Sequence, residues 1–122
     1  MRISTAESQI MKALWARSPL TAEEIAAALA DDQNWAEGTV KALLNRLLKK
    51  DAIAADKEGR RFLYRPLVAQ GDYVHAESQG LLDRLFDGRL APLVSHFSQR
   101  ERLSDDDIAE LRRILEAHDD GR

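Results

Sequence analysis

Val40, Leu43, Leu44, Leu47 and Leu48 recur at i, i+3, i+4, i+7 and i+8, and a few residues later the period changes, with Phe62 and Tyr64 alternating with Leu63 and Arg65. A stripe at the first spacing fits one face of a helix, and alternation at the second fits a half-buried strand. The two β segments, Ile53–Asp56 and Arg61–Arg65, flank Lys57-Glu58-Gly59-Arg60. Gly59 in that position predicts a tight turn, so a helix over about 36–50 is followed by a β-hairpin.

Two shorter helices precede this pair. Ser4-Thr5-Ala6-Glu7 and Thr21-Ala22-Glu23-Glu24 each place a hydroxyl three residues before a carboxylate, the pattern by which side chains satisfy the free amides of a helix start. Ile10 and Leu14 extend the first to about residue 16, where Ser18-Pro19 stops it; Ile25, Ala26, Ala28 and Leu29 carry the second over about 22–30. Three helices followed by a basic hairpin give a winged helix-turn-helix layout over residues 1–68.

Beyond Val68 the pattern is helical throughout. Val74, Leu81, Leu82, Leu85 and Phe86 form one apolar stripe, Leu90, Leu93, Val94 and Phe97 a second, and Ile108, Leu111, Ile114 and Leu115 a third, punctuated by Gly88, Ser98 and Ser104. Three such faces cannot all be buried within a short appendage, so residues 69–122 are expected to pair with a second copy, with Leu81, Leu82, Leu85, Phe86, Leu93, Phe97, Ile108, Leu111 and Leu115 in the dimer core. Packing of these helices on the winged helix is the alternative. The expected fold is mainly α with a small β-hairpin, a winged helix-turn-helix followed by a C-terminal helical dimerisation segment.

Charge divides along the same boundary. Residues 1–68 hold 11 basic against 9 acidic side chains and residues 69–122 hold 7 against 12, so a chain of net charge −3 keeps its cations in the first part. Between 36 and 66 the cations are Lys41, Arg46, Lys49, Lys50, Lys57, Arg60, Arg61 and Arg65, against Glu37, Asp51, Asp56 and Glu58. That surface suits a polyanion.

On the third helix the side opposite the apolar stripe carries Gly38, Ala42, Asn45 and Lys49, flanked by Lys41 and Arg46. Small residues allow close approach to a groove, amide and ammonium groups reach base edges, and cations reach phosphate. Thr39, Lys41, Ala42, Asn45, Arg46 and Lys49 on the helix, with Arg60 and Arg61 on the wing, are the candidate contacts to double-stranded operator DNA. Asn45 and Lys41 are assigned to bases, Lys49 and Arg60 to phosphate. An ion pair between Arg46 and an acid such as Glu24 is the competing role for Arg46, and solubility at the hairpin tip that for Arg60 and Arg61. Helix and strand phase place Trp15 and Phe62 in the core, and Trp35 is expected to staple the start of the third helix.

Other classes of function fit poorly. The chain has no cysteine, which removes disulfides and thiolate metal sites, and it contains no phosphate loop or nucleophile elbow. His75, His96 and His118 lie far apart in sequence. No enzyme activity, metal or cofactor is expected, although His75 with Glu77 leaves a metal-responsive reading open. A winged helix serving as a protein adaptor is the other alternative, and the basic face argues against it. No apolar run suits a membrane span and Met1-Arg2-Ile3-Ser4 does not open a signal peptide, so no membrane insertion and a cytoplasmic location are expected.

Several segments resemble the BlaI/MecI penicillinase-repressor family, which includes the CopY-type copper repressors. They are Ile3-Ser4-Thr5-Ala6-Glu7 with Leu14-Trp15, the run from Gly38 to Lys50, Phe62-Leu63-Tyr64, and Leu103-Ser104 with Ile108-Ala109-Glu110-Leu111. The resemblance implies a winged-helix repressor that binds a dyad-symmetric operator as a homodimer. In the best-known branches it also implies inactivation by proteolysis, triggered by a membrane sensor metalloprotease or its downstream protease. The CopY-type cysteine pairs are absent here, and the Asn-Phe bond cut in the β-lactam-responsive branch corresponds to His96-Phe97. His96 and Phe97 are therefore the candidate cleavage positions, in a segment from Ser95 to Arg102 expected to be open and polar.

Overall fold

The computed structural model describes residues 2–120. Its elements are α1 Thr5–Ala16, α2 Ala22–Leu29, α3 Glu37–Lys49, β1 Ile53–Glu58, β2 Arg61–Pro66, α4 Gln70–Leu85, α5 Leu90–Arg100 and α6 Asp105–Asp120. The first five are the helices and hairpin that the sequence predicts, with boundaries shifted by a residue or two.

Local chemistry sets the first two helices. Ser4 Oγ accepts from the Glu7 amide at 3.1 Å while a Glu7 carboxylate oxygen accepts from the Ser4 amide at 3.0 Å. Thr21 and Glu24 repeat the exchange at 3.1 and 2.9 Å. Each box satisfies two of the amides that a helix start leaves without a helical partner. The third helix begins differently, at Ala36, with no side-chain cap, and half-buried Trp35 precedes it at the position from which an apolar side chain staples the first turn.

Helices α1 to α3 close around Ile10, Met11, Leu14, Ile25, Leu29, Val40, Leu43, Leu44 and Leu47, all buried, with Ile3, Leu20, Ala52 and Ile53 completing the core. The hairpin pairs β1 and β2 antiparallel, with Ala55 opposite Tyr64 and Lys57 opposite Phe62, and turns at Gly59, whose φ is +64°. Tyr64 ties it to the helices, exchanging backbone hydrogen bonds with Leu20 at 2.8 and 3.0 Å.

The chain divides into two compact units, Met1–Val74 and His75–Arg122. The division lies inside α4, six residues beyond the position 68 boundary drawn from sequence, because the first turn of that helix is held in the first unit. Trp15 Nε1 donates to the Val68 carbonyl at 2.8 Å, and the Trp15 ring lies 5.4 Å from that of Tyr73.

In the second unit Gly88, with φ of +76°, turns the chain from α4 towards α5, and Ser104 Oγ accepts from the Asp107 amide at the start of α6. Two expectations need correction. Ser98 does not interrupt a helix: its hydroxyl donates to the Ser95 carbonyl at 3.0 Å, and α5 runs on to Arg100. His96 and Phe97 therefore lie in a hydrogen-bonded helix rather than an open segment, and only from Glu101 does the backbone become extended.

The apolar side chains of this unit stay largely at its surface. Neither α4 nor α5 has a buried residue, and Leu81, Leu85, Leu90, Phe97, Ile114 and Leu115 are between 37% and 66% exposed. Leu82, Phe86, Leu93, Ile108 and Leu111 are half-buried, and Val94, Phe97, Leu103, Leu111 and Ile114 line a groove with Asp107 and Glu110.

Candidate nucleic-acid interface

The inward stripe of α3 settles which side faces out. With Val40, Leu43, Leu44 and Leu47 buried, the helix exposes Thr39, Lys41, Ala42, Asn45, Arg46 and Lys49, and the wing exposes Arg60 and Arg61. All eight candidate positions are thus at the surface.

The ion pairs sort the cations. Lys41 Nζ lies 3.6 Å from a Glu37 oxygen one turn away, and Arg61 Nη2 lies 3.4 Å from Glu58 across the hairpin, both pairs well exposed. Pairs of this kind contribute little and are readily exchanged for another anion. Arg65 is held more tightly, its Nε 2.9 Å from Asp56 Oδ2. Arg46, Lys49 and Arg60 make no ion pair among the described residues. The Arg46–Glu24 contact is not formed, because Glu24 caps α2 instead, and hydrogen bonds from Thr21 hold its carboxyl below the usual range.

Lys50, counted from sequence with the outward cations, turns inward. Its Nζ donates to Glu7 Oε1 at 2.7 Å and Oε2 at 2.8 Å, and Glu7 is only 2% exposed. Burial raises the Glu7 carboxyl, but the hydrogen bonds from Lys50 and Ser4 more than offset it and leave the group below its ordinary value.

Phe62 also departs from its expected place. It shares a strand face with half-buried Tyr64, yet it is 47% exposed and lines a cleft of about 320 Å³ with Thr21, Ala22, Glu23, Glu37, Lys41, Arg60, Arg61 and Tyr64. The hairpin extends past the helices that cover its base, so a position two residues nearer the tip loses that cover. The proximity of Phe62 to the turn was the available signal.

His75 and Glu77 stand two positions apart on α4 and so project to nearly opposite sides of the helix, an arrangement that does not chelate one ion. Among the described residues no group of three or more His, Asp or Glu side chains converges as a metal site, and no helix is long and apolar enough to cross a membrane.

Comparison with known proteins yields consistent matches. The family model described as penicillinase repressor matches residues 3–117. A penicillinase repressor from Bacillus licheniformis is 37% identical over 96% of this chain and 91% of its own length. The methicillin resistance regulatory protein MecI of Staphylococcus aureus is 33% identical over 93% of this chain and 92% of its own. Among solved structures, the monomeric form of Bacillus licheniformis BlaI in complex with the blaP half-operator superposes with a TM-score of 0.52 at 37% identity, covering 60% of this chain and 89% of that one.

Proposed function

The chain belongs to the penicillinase repressor family and is a DNA-binding transcriptional repressor; from that premise we propose that α3 enters the major groove of an operator while the wing grips the flanking backbone. The observation that carries this reading is the set of unpaired cations Arg46, Lys49 and Arg60 beside exposed Asn45 and Ala42. A protein adaptor gains nothing from uncompensated cations on the face around its third helix, whereas a duplex compensates each with a phosphate. Asn45 and Lys41 read base edges, with Thr39 and Ala42 close to the groove floor, and Arg46, Lys49, Arg60 and Arg61 hold the backbone.

The acting species is a homodimer on a dyad-symmetric operator. Support comes from the second unit, where Leu81, Leu85, Leu90, Phe97, Ile114 and Leu115 are all exposed large apolar side chains, the kind of surface that a partner copy covers. Pairing covers these residues with Leu82, Phe86, Leu93, Ile108 and Leu111. The protein works on DNA in the cytoplasm.

Fluorescence anisotropy of a duplex across a salt series tests the assignment. Four backbone-holding cations in each of two protomers give a log–log slope of roughly −7. A slope near zero overturns it.

Repression ends when the second unit is cut at His96–Phe97 by a membrane sensor metalloprotease or its downstream protease, which removes α6 from the dimer. Phe97 is half exposed, but α5 must unwind around it before a protease can seat the bond. Mass spectrometry of the protein recovered from induced cells decides: a fragment ending at His96 supports the cut, and derepression with intact protein alone rejects it.

A further inference from the structure

Phe62 is a large aromatic side chain left 47% exposed at the outer end of the hairpin, and charged side chains surround it. Lys57 stands directly opposite it in the strand register, and Lys41, Arg60 and Arg61 share its cleft. Glu37 pairs with Lys41 and Glu58 with Arg61, which leaves Lys57 and Arg60 as the cations beside the ring that make no ion pair among the described residues. Glu23, in the first turn of α2, lines the same cleft.

An apolar ring set among cations is poorly matched to an apolar protein surface, because docking one there strands the charges in a dry interface. It is equally unsuited to a second copy of the same wing, which brings like charges together. A ligand that alternates anions with small apolar faces meets both requirements, and the sugar-phosphate backbone of DNA has that composition. We propose that Phe62 packs against a deoxyribose of the operator backbone, between phosphates held by the wing cations, and so supplies an apolar, sequence-independent part of the affinity. The proposal deepens the DNA-binding reading and rests on the wing facing the duplex.

The two terms separate by salt. A lost phosphate contact flattens the salt dependence by about one unit of slope, whereas a lost apolar contact lowers affinity at every salt concentration and leaves the slope alone. Full-length Phe62→Ala is therefore titrated against an operator and an unrelated duplex beside Phe62→Leu and Arg60→Ala. We expect Phe62→Ala to bind both duplexes about tenfold more weakly with unchanged slope, the size expected when roughly 60 Å² of apolar surface returns to water. Phe62→Leu should recover most of the loss. Phe62→Thr, which keeps a residue suited to strands, serves as a second truncation should the alanine variant melt below the assay temperature.

Affinity within twofold of the parent for a folded truncation overturns the proposal. So does a flattened slope, which marks an effect transmitted through the cations, or a loss confined to the operator, which marks a base contact. If Arg60→Ala flattens the slope while Phe62→Ala has no effect, the wing reading stands and this proposal falls; if neither variant has an effect, the wing reading itself falls.

Discussion

Lys50 Nζ bridges both carboxylate oxygens of Glu7, joining the end of α3 to the capping box that starts α1 across 43 positions of sequence. One carboxylate thus serves two elements, accepting from the Ser4 amide and from Lys50. The pair adds a polar link between α1 and the end of α3 to the apolar packing of the two helices.

Removing one partner leaves the other underground. Lys50→Met strands a nearly buried carboxylate and should cost about 2 kcal/mol, below the range for fully buried pairs because the lysine side chain is 35% exposed. Glu7→Gln should cost less alone, and the double variant should lose less than the two singles combined. The pH dependence follows from a carboxyl held lower in the folded state than its ordinary 4.5. Its contribution to stability is complete above that value and is lost as pH falls through the depressed folded value. Chemical denaturation at pH 7 and pH 3 checks this: the Glu7→Gln penalty should shrink at the lower pH, and an equal penalty at both contradicts it.

The cations of the candidate interface should not behave alike. Lys49→Ala and Arg60→Ala each remove an unpaired charge and should reduce the salt slope by about one unit per contact while weakening all duplexes similarly. Arg65→Ala should change the slope little, since Arg65 is already bound to Asp56 at 2.9 Å. Anisotropy titrations at four salt concentrations distinguish them.

For the dimer, Leu85→Asp combined with Leu115→Asp puts charges on two of the most exposed apolar positions of the second unit. A charge buried at such an interface is costly without a partner. Sedimentation velocity should show the parent chain as a dimer at micromolar concentration and the variant as a monomer that keeps its helical content and thermal transition. Two dimers, or two monomers, contradict the assignment.

What could be read in advance was what is local. The hydroxyl and carboxylate of each capping box lie three residues apart, the stripe from Val40 to Leu48 needs no knowledge of its partner, and the Gly59 turn carries its own chemistry. What escaped depends on contacts between distant segments. Lys50 looks like any other cation until Glu7, far earlier in the chain, is seen beneath it. Phe62 has the strand phase of a core residue, and only the limited reach of α2 and α3 leaves it uncovered. The packing of the first unit carries on to Val74 because Trp15 captures Val68 and Tyr73. Ser98, read as punctuation, instead satisfies its hydroxyl on the Ser95 carbonyl and stays helical. The outward set on α3 was legible for the opposite reason: helical phase alone separates Asn45 and Lys49 from Leu44 and Leu47.

In the proposed function, two copies of α3 read a two-fold DNA site through Asn45 and its neighbours. The most direct test is selection of duplexes from a random library by full-length protein, run in parallel with Asn45→Ala. The expected product is an inverted repeat with half-site centres about one helical turn, ~10 base pairs, apart. With Asn45→Ala, preference should be lost at one symmetric pair of positions, an effect of about 1–3 kcal/mol per contact, while the rest of the repeat survives. Enrichment of a site without two-fold symmetry, or identical selected sequences for both proteins, would contradict it.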